Sequence, residues 1–134
     1  MHKRIIRTLI FIGILFVVSF YSKSQSRKVI FFHEIDDQAR VYVDDELIYE
    51  SDVVGYLGGV SIKVDITKHI TTGDETVTIK LINIQCSDCS GGNPWSIIYE
   101  LLDDEESIDY QVSDGIGGAG SKPVYSYSFR WDDL

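Results

Sequence analysis

The chain reads as an all-β protein, an antiparallel β-sandwich of about eight strands. Three observations carry that reading. Apolar and polar residues alternate with a period of two in segment after segment, as in VSIKVDI, TVTIKLIN and VYSYSFRW. Clusters of Gly, Asp and Thr separate those segments at turn-like intervals. No stretch past residue 25 shows an amphipathic helical period. Alternation bounded by turn residues is the mark of half-buried strands, and a domain of about a hundred residues built this way is a sandwich.

The first 25 residues stand apart. His2, Lys3, Arg4 and Arg7 make a basic start, Leu9 to Phe20 is apolar apart from Gly13 and Ser19, and Ser22-Lys23-Ser24 supplies small residues three apart. This is the layout of a secretory signal peptide ending at Gln25. The apolar core is shorter than the roughly 20 residues of a membrane-spanning helix, so an uncleaved anchor is the weaker reading. The expected organisation is a signal peptide over 1–25 and one β domain over 26–134, secreted or periplasmic, with no membrane span after cleavage. Of 12 basic and 21 acidic residues, the leader holds four basic ones and no acid, so the remainder carries a net charge of −13. Such a surface repels phosphate backbones and anionic lipid, which excludes nucleic acid as a partner.

The strands follow in order. SRKVIFFHEIDDQ carries the first, Val29 to Ile35, and ends in an Asp36-Asp37 turn. ARVYVDDELIYES is a hairpin about Asp44-Asp45. A two-residue turn sets Val43 opposite Glu46 and Val41 opposite Ile48. Ala39, Val41, Val43 and Ile48 then face the core, while Tyr42, Leu47 and Tyr49 share the other face. The loop GYLGG presents Tyr56 between glycines. In VSIKVDI the residues Val60, Ile62, Val64 and Ile66 alternate with polar ones. Thr67 to Ile70 is a single helical turn with Thr67 as its cap. In TVTIKLIN, Val77, Ile79 and Leu81 take one face. Pro94 opens a strand, and WSIIYELL is apolar enough for burial on both faces. Asp103 to Glu106 form an acidic turn before IDYQVS. DGIGGAGSKP reads as a long loop, and VYSYSFRW is the last strand.

Cys86 and Cys89 lie in QCSDCSGG, after a strand. In an exported chain the expectation is a local disulfide across a tight turn. A redox pair would open a helix beside a βαβ unit, and a zinc site would need two more ligands where only His33 and His69 remain after the leader.

The run VYVDDELIYE…VDITKHITTGDETVTIKLIN resembles the galactose-binding-like jelly-roll domain at the front of family 2 glycoside hydrolases, the β-galactosidases and β-glucuronidases. Val41, Val43, Ile48, Asp65-Ile66-Thr67, Gly73-Asp74 and Asn83 stand in that family's pattern. Asp44-Asp45 replaces its Asn-Gly, and Glu75 stands where Asn is usual. The resemblance covers residues 39–83 and implies a jelly roll. In those enzymes the domain accompanies a catalytic barrel that is missing here, so it implies no catalysis. Similar jelly rolls serve as carbohydrate-binding modules, often with a structural calcium ion.

Carboxylate pairs fall in expected turns, where glycosidase chemistry, which needs two carboxyls on rigid strands about 5–9.5 Å apart, has no footing. The chain is therefore read as a non-enzyme. Calcium takes oxygen ligands from loops, and Asp36, Asp37, Asp103 and Asp104 are the candidate ligands. Tyr56, Trp95 and Trp131 sit nearest to loops or the terminus and are the expected exposed rings for stacking on a sugar. The partner is a carbohydrate or, alternatively, an envelope or extracellular protein served by an assembly factor, inhibitor or immunity-type protein.

Overall fold

The computed structural model describes residues 25–134 except 56–58, 85–90 and 121. The leader up to residue 24, Tyr56, Cys86 and Cys89 lie outside the described residues. The eight strands are β1 (Lys28–Asp36), β2 (Gln38–Val43), β3 (Glu46–Glu50), β4 (Gly59–Asp65), β5 (Thr76–Ile82), β6 (Pro94–Asp103), β7 (Glu106–Ile116) and β8 (Pro123–Arg130). They form two four-stranded antiparallel sheets, β4-β1-β6-β7 and β3-β2-β5-β8. Short 3-10 turns occupy Thr67–His69 and Trp131–Asp133. No helix among the described residues is long and apolar enough to cross a membrane.

Alternation places the core. Phe32, Ile35, Ile97, Tyr99 and Leu101 of one sheet meet Ala39, Val41, Val77, Ile79 and Leu81 of the other, all fully buried. The Tyr99 and Tyr125 hydroxyls bond at 2.9 Å across the inter-sheet space, satisfying the polar end of the largest buried ring. Both tight hairpin turns use acidic residues at positive φ, Asp44 and Asp45 (47° and 67°) and Asp104 and Glu105 (48° and 73°). The first turn is tied to β5, because the Thr76 N–H donates to Asp44 Oδ1 at 2.8 Å and the Asp44 N–H to the Thr76 carbonyl at 2.9 Å.

Several expectations change. Val41 pairs with Tyr49 and Tyr42 with Leu47, so Ile48 is the extra residue of a bulge. The bulge turns Tyr49 toward the core as well, where its ring stacks on Phe32 at 6.4 Å. Strand β6 is fully buried on one face only; Ser96, Ile98 and Glu100 are half-buried on the other. Strand β7 runs on through Asp114-Gly115-Ile116, because pairing with Trp95 and Pro94 holds residues of low strand preference. Thr67 does not cap its turn: its N–H donates to the Asp65 carboxylate at 3.0 Å, and its hydroxyl accepts from the Lys28 N–H at 2.9 Å. Asp36 is the last residue of a strand and is buried.

Candidate functional site

The two ends of β1 differ in how their acids are used. At its start, Lys28 pairs with Asp103. Trp131 is 4% exposed, and its indole N–H donates to Asp103 Oδ2 at 2.9 Å. The Lys28 ammonium lies 3.7 Å from the same oxygen and 5.7 Å from the centre of the Trp131 ring. Burial alone would raise the Asp103 pKa; the hydrogen bonds from Ser26 and Trp131 and the Lys28 charge outweigh it and hold the carboxyl below its usual value. Asp104 accepts the Arg27 N–H at 2.6 Å. Trp131 is thus a core residue and not an exposed ring, and Asp103 and Asp104 are already engaged by the protein.

The other end of β1 is a groove. Asp36 pairs with Ser96, and Ser96 with Asp114, so three polar residues stand abreast on β1, β6 and β7. Two inter-strand spacings separate the outer two, about 10 Å of backbone. Period two puts Glu34 on the face of Asp36, and its Oε1 accepts the Ser96 hydroxyl. Sequence reasoning missed Glu34, Ser96 and Asp114. The spacing of Glu34 and Asp36 was a usable signal; the register that adds Asp114 was not.

Trp95 walls this region. It is half-buried against the core, and its indole lies across Gly115, where an added Cβ would come within 2.4 Å of the ring. One groove, of about 660 Å³, runs from Trp95 along Ile116 and the glycine-rich loop to Val124. A second, of about 380 Å³, is bordered by Trp95, Glu34, Asp36, Ser96 and Asp114. The loop is anchored by Asn83, fully buried, whose amide donates to the carbonyls of Gly117 (2.7 Å) and Asn93 (3.1 Å). The Asn83 carbonyl accepts the Gly120 N–H at 3.0 Å. Gly118, at φ 74°, passes so close to Val124 that a Cβ would meet it at 2.5 Å.

The electrostatics of this end run opposite to those of the other. Burial, the hydrogen bond and charge of Asp37, and then the charge of Glu34 push the Asp36 carboxyl up to about 6 from 3.8. Asp37 is spent on structure, accepting the Ile84 N–H at 2.5 Å. The four candidate calcium ligands therefore fall at opposite ends of β1, roughly 26 Å apart at about 3.3 Å per residue. Among the described residues no group of three or more His, Cys, Asp or Glu is placed to hold a metal ion. On the outer face of the same sheet His33 has a partner that the sequence did not reveal, Glu100, at 3.2 Å.

Of the three expected ring residues, only Trp95 borders a groove, while Tyr56 lies outside the described residues. The described flanks of its loop, Val54 and Gly59, pair with Asp37 and Glu34 at the Trp95 end of the sheet. Comparisons of the chain with protein-family models, curated proteins and solved structures found no match.

Proposed function

We propose that this protein is an exported, non-catalytic carbohydrate-binding module whose ligand site is the groove at Trp95. The observation that carries the reading is that one residue, Trp95, borders two grooves, of about 660 and 380 Å³. Small-molecule sites are concave, run about 300–1,000 Å³, and combine apolar or aromatic walls with a few convergent polar groups. Here Trp95, Ile116 and Val124 supply apolar wall. Glu34, Ser96 and Asp114 supply acceptors for sugar hydroxyls, and a ring such as Trp95 stacks on the C–H face of a sugar.

The resemblance to galactose-binding-like domains supports the same reading. The pairing pattern is compatible with it: among the described strands only β2–β3 and β6–β7 are consecutive and hydrogen-bonded, and every other pairing joins distant segments, as in Greek-key sandwiches, jelly rolls among them. The non-catalytic part rests on Asp36, the groove carboxyl with the raised pKa, being only 6% exposed. Export and a Cys86–Cys89 disulfide belong to the same reading; mass spectrometry of protein from the cell envelope finds the two sulfurs joined if it is right, and both free if it is wrong.

A glycan array tests the ligand class. The expected result is binding to one or a few neutral glycans that survives high salt and is lost in Trp95→Ala. An array without hits rejects the proposal. Turnover of an aryl glycoside that is abolished by Glu34→Gln or Asp36→Asn rejects its non-catalytic part.

A further inference from the structure

Among the described strands four lie at sheet edges, and three of them are guarded along their length. Strand β3 has five residues and a bulge, β4 has seven and carries Lys63, and β8 begins with Pro123 and ends with Arg130. Short length, bulges, Lys and Pro are the devices that stop an open edge from templating another strand. Strand β7, with 11 residues and no Lys, Arg or Pro, is guarded over its first half only.

Its backbone polarity can be read from two hydrogen bonds. The Gly117 N–H donates to the Asn93 carbonyl at 2.9 Å, so the odd-numbered residues beside it turn their backbone groups toward β6. The Tyr110 N–H instead donates to the Asp109 carboxylate at 2.9 Å, so the even-numbered residues turn theirs to the open side. Asp109 guards the edge at Tyr110, and a bulge at Ile108 guards it one step earlier. Beyond them, Val112, Asp114 and Ile116 present backbone groups to the open side without either device. The outer face of this edge is largely apolar and exposed: Tyr110 is 55%, Val112 60% and Ile116 72% exposed.

We propose that the open edge of β7 binds an extended segment of a partner protein, in which apolar and basic residues alternate, as an added strand. Main-chain hydrogen bonds to Val112 and Asp114 set its position, and side chains set its identity. Apolar groups of the partner cover Val112 and Tyr110 on the outer face, while its Lys or Arg side chains, which alternate to the other face, meet Asp109 and Glu106. Strands β6 and β7 carry acids and no Lys or Arg, and the whole chain has a net charge of −9. That charge selects a basic segment and opposes a second copy of this chain, which would bring the same acids together. The edge borders the proposed sugar groove at Asp114 but does not use the Trp95 ring.

The test uses the full-length chain and two labelled ten-residue peptides, one alternating valine with lysine and the other valine with glutamate. The expected result is saturable binding of the lysine peptide alone, weakened about tenfold or more between low and high salt. NMR should show slowed amide exchange at Val112 and Asp114 on binding. Val112→Pro removes an N–H that β6 does not use, so it should leave the fold intact and abolish binding. Should that variant fail to fold, Val112→Lys is expected to weaken the lysine peptide at least tenfold by repulsion. Trp95→Ala should bind the peptide normally while losing any glycan. Three outcomes overturn the proposal: no saturable binding, equal binding of both peptides, or a peptide-free dimer that already protects the Val112 and Asp114 amides. Undiminished binding by a folded Val112 variant overturns it as well.

Discussion

The two ends of β1 carry the same kinds of residue, an aspartate on β1 or its partner and a nearby tryptophan, and put them to opposite uses. At the Lys28 end charges of opposite sign meet: Asp103 receives the Trp131 indole and the Lys28 ammonium, and the ring is buried beside them. At the Asp36 end the charges are alike. Glu34, Asp36, Asp37 and Asp114 gather there with no ion pair to a cation among the described residues, and the tryptophan stays half-buried beside them. A closed, paired end stabilises a fold. An end that concentrates like charges beside a half-buried ring costs stability, and that end is where the proposed ligand site lies.

The largest expected difference is between the two tryptophans. Trp131→Ala should destabilise by about 3–5 kcal/mol, since it empties a core position and strips Asp103 of a donor. Trp95→Ala should cost less than half of that, as the ring is only partly buried. Urea midpoints of the two variants measure the gap; equal losses would break the distinction between a structural and a ligand-facing end.

The next effect is on pH dependence. Asp36 has a folded pKa raised to about 6 from 3.8, so the folded state holds its proton more tightly, and stability falls as pH rises from about 4 to about 6. Asp103 has a lowered folded pKa, so its contribution is present at neutral pH and is lost as pH falls through that value. Asp36→Asn should therefore stabilise the protein at pH 7.5 by about 1–3 kcal/mol and change little at pH 3.5. Asp103→Asn should destabilise at pH 7.5. Denaturation at the two pH values compares them, and a destabilising Asp36→Asn at pH 7.5 would contradict the account of that end.

How much of this was legible depends on the residue. The alternation of Val77, Ile79 and Leu81, and of Ala39, Val41 and Val43, read directly as buried faces, because a strand's period belongs to the local chain. The positive φ at Asp44 and Asp45 followed from the two-residue turn. The bulge at Ile48 did not, because a register shift is settled by packing against the other sheet, here by Tyr49 on Phe32. Trp95 and Trp131 both stand next to loops in the sequence. What separates them is the strand end each packs against, a long-range fact. Asp36 looked like a turn residue for a similar reason: its burial comes from pairing with Ser96, sixty residues on.

A smaller effect sharpens the picture of the groove wall. Gly115→Ala places a Cβ against the Trp95 ring and should cost about 1–3 kcal/mol while shifting the indole. Its tryptophan emission should move relative to the parent, and an unmoved spectrum would mean that the ring does not rest on Gly115. Smallest of all is Arg27→Ala. The Arg27–Asp65 pair, at 2.9 Å, is about half exposed on both sides, so its loss should cost no more than about 0.5 kcal/mol.

Because the chain has two tryptophans, single-tryptophan variants measure the central distinction directly. Trp131→Phe leaves Trp95 as the reporter, and Trp95→Phe leaves Trp131. Titrating each with the neutral glycans that bind the parent should change the emission of the Trp95 reporter saturably and leave the Trp131 reporter untouched. A response from Trp131, or none from Trp95 while the glycan still binds, would contradict the assignment of the ligand site to the Trp95 end.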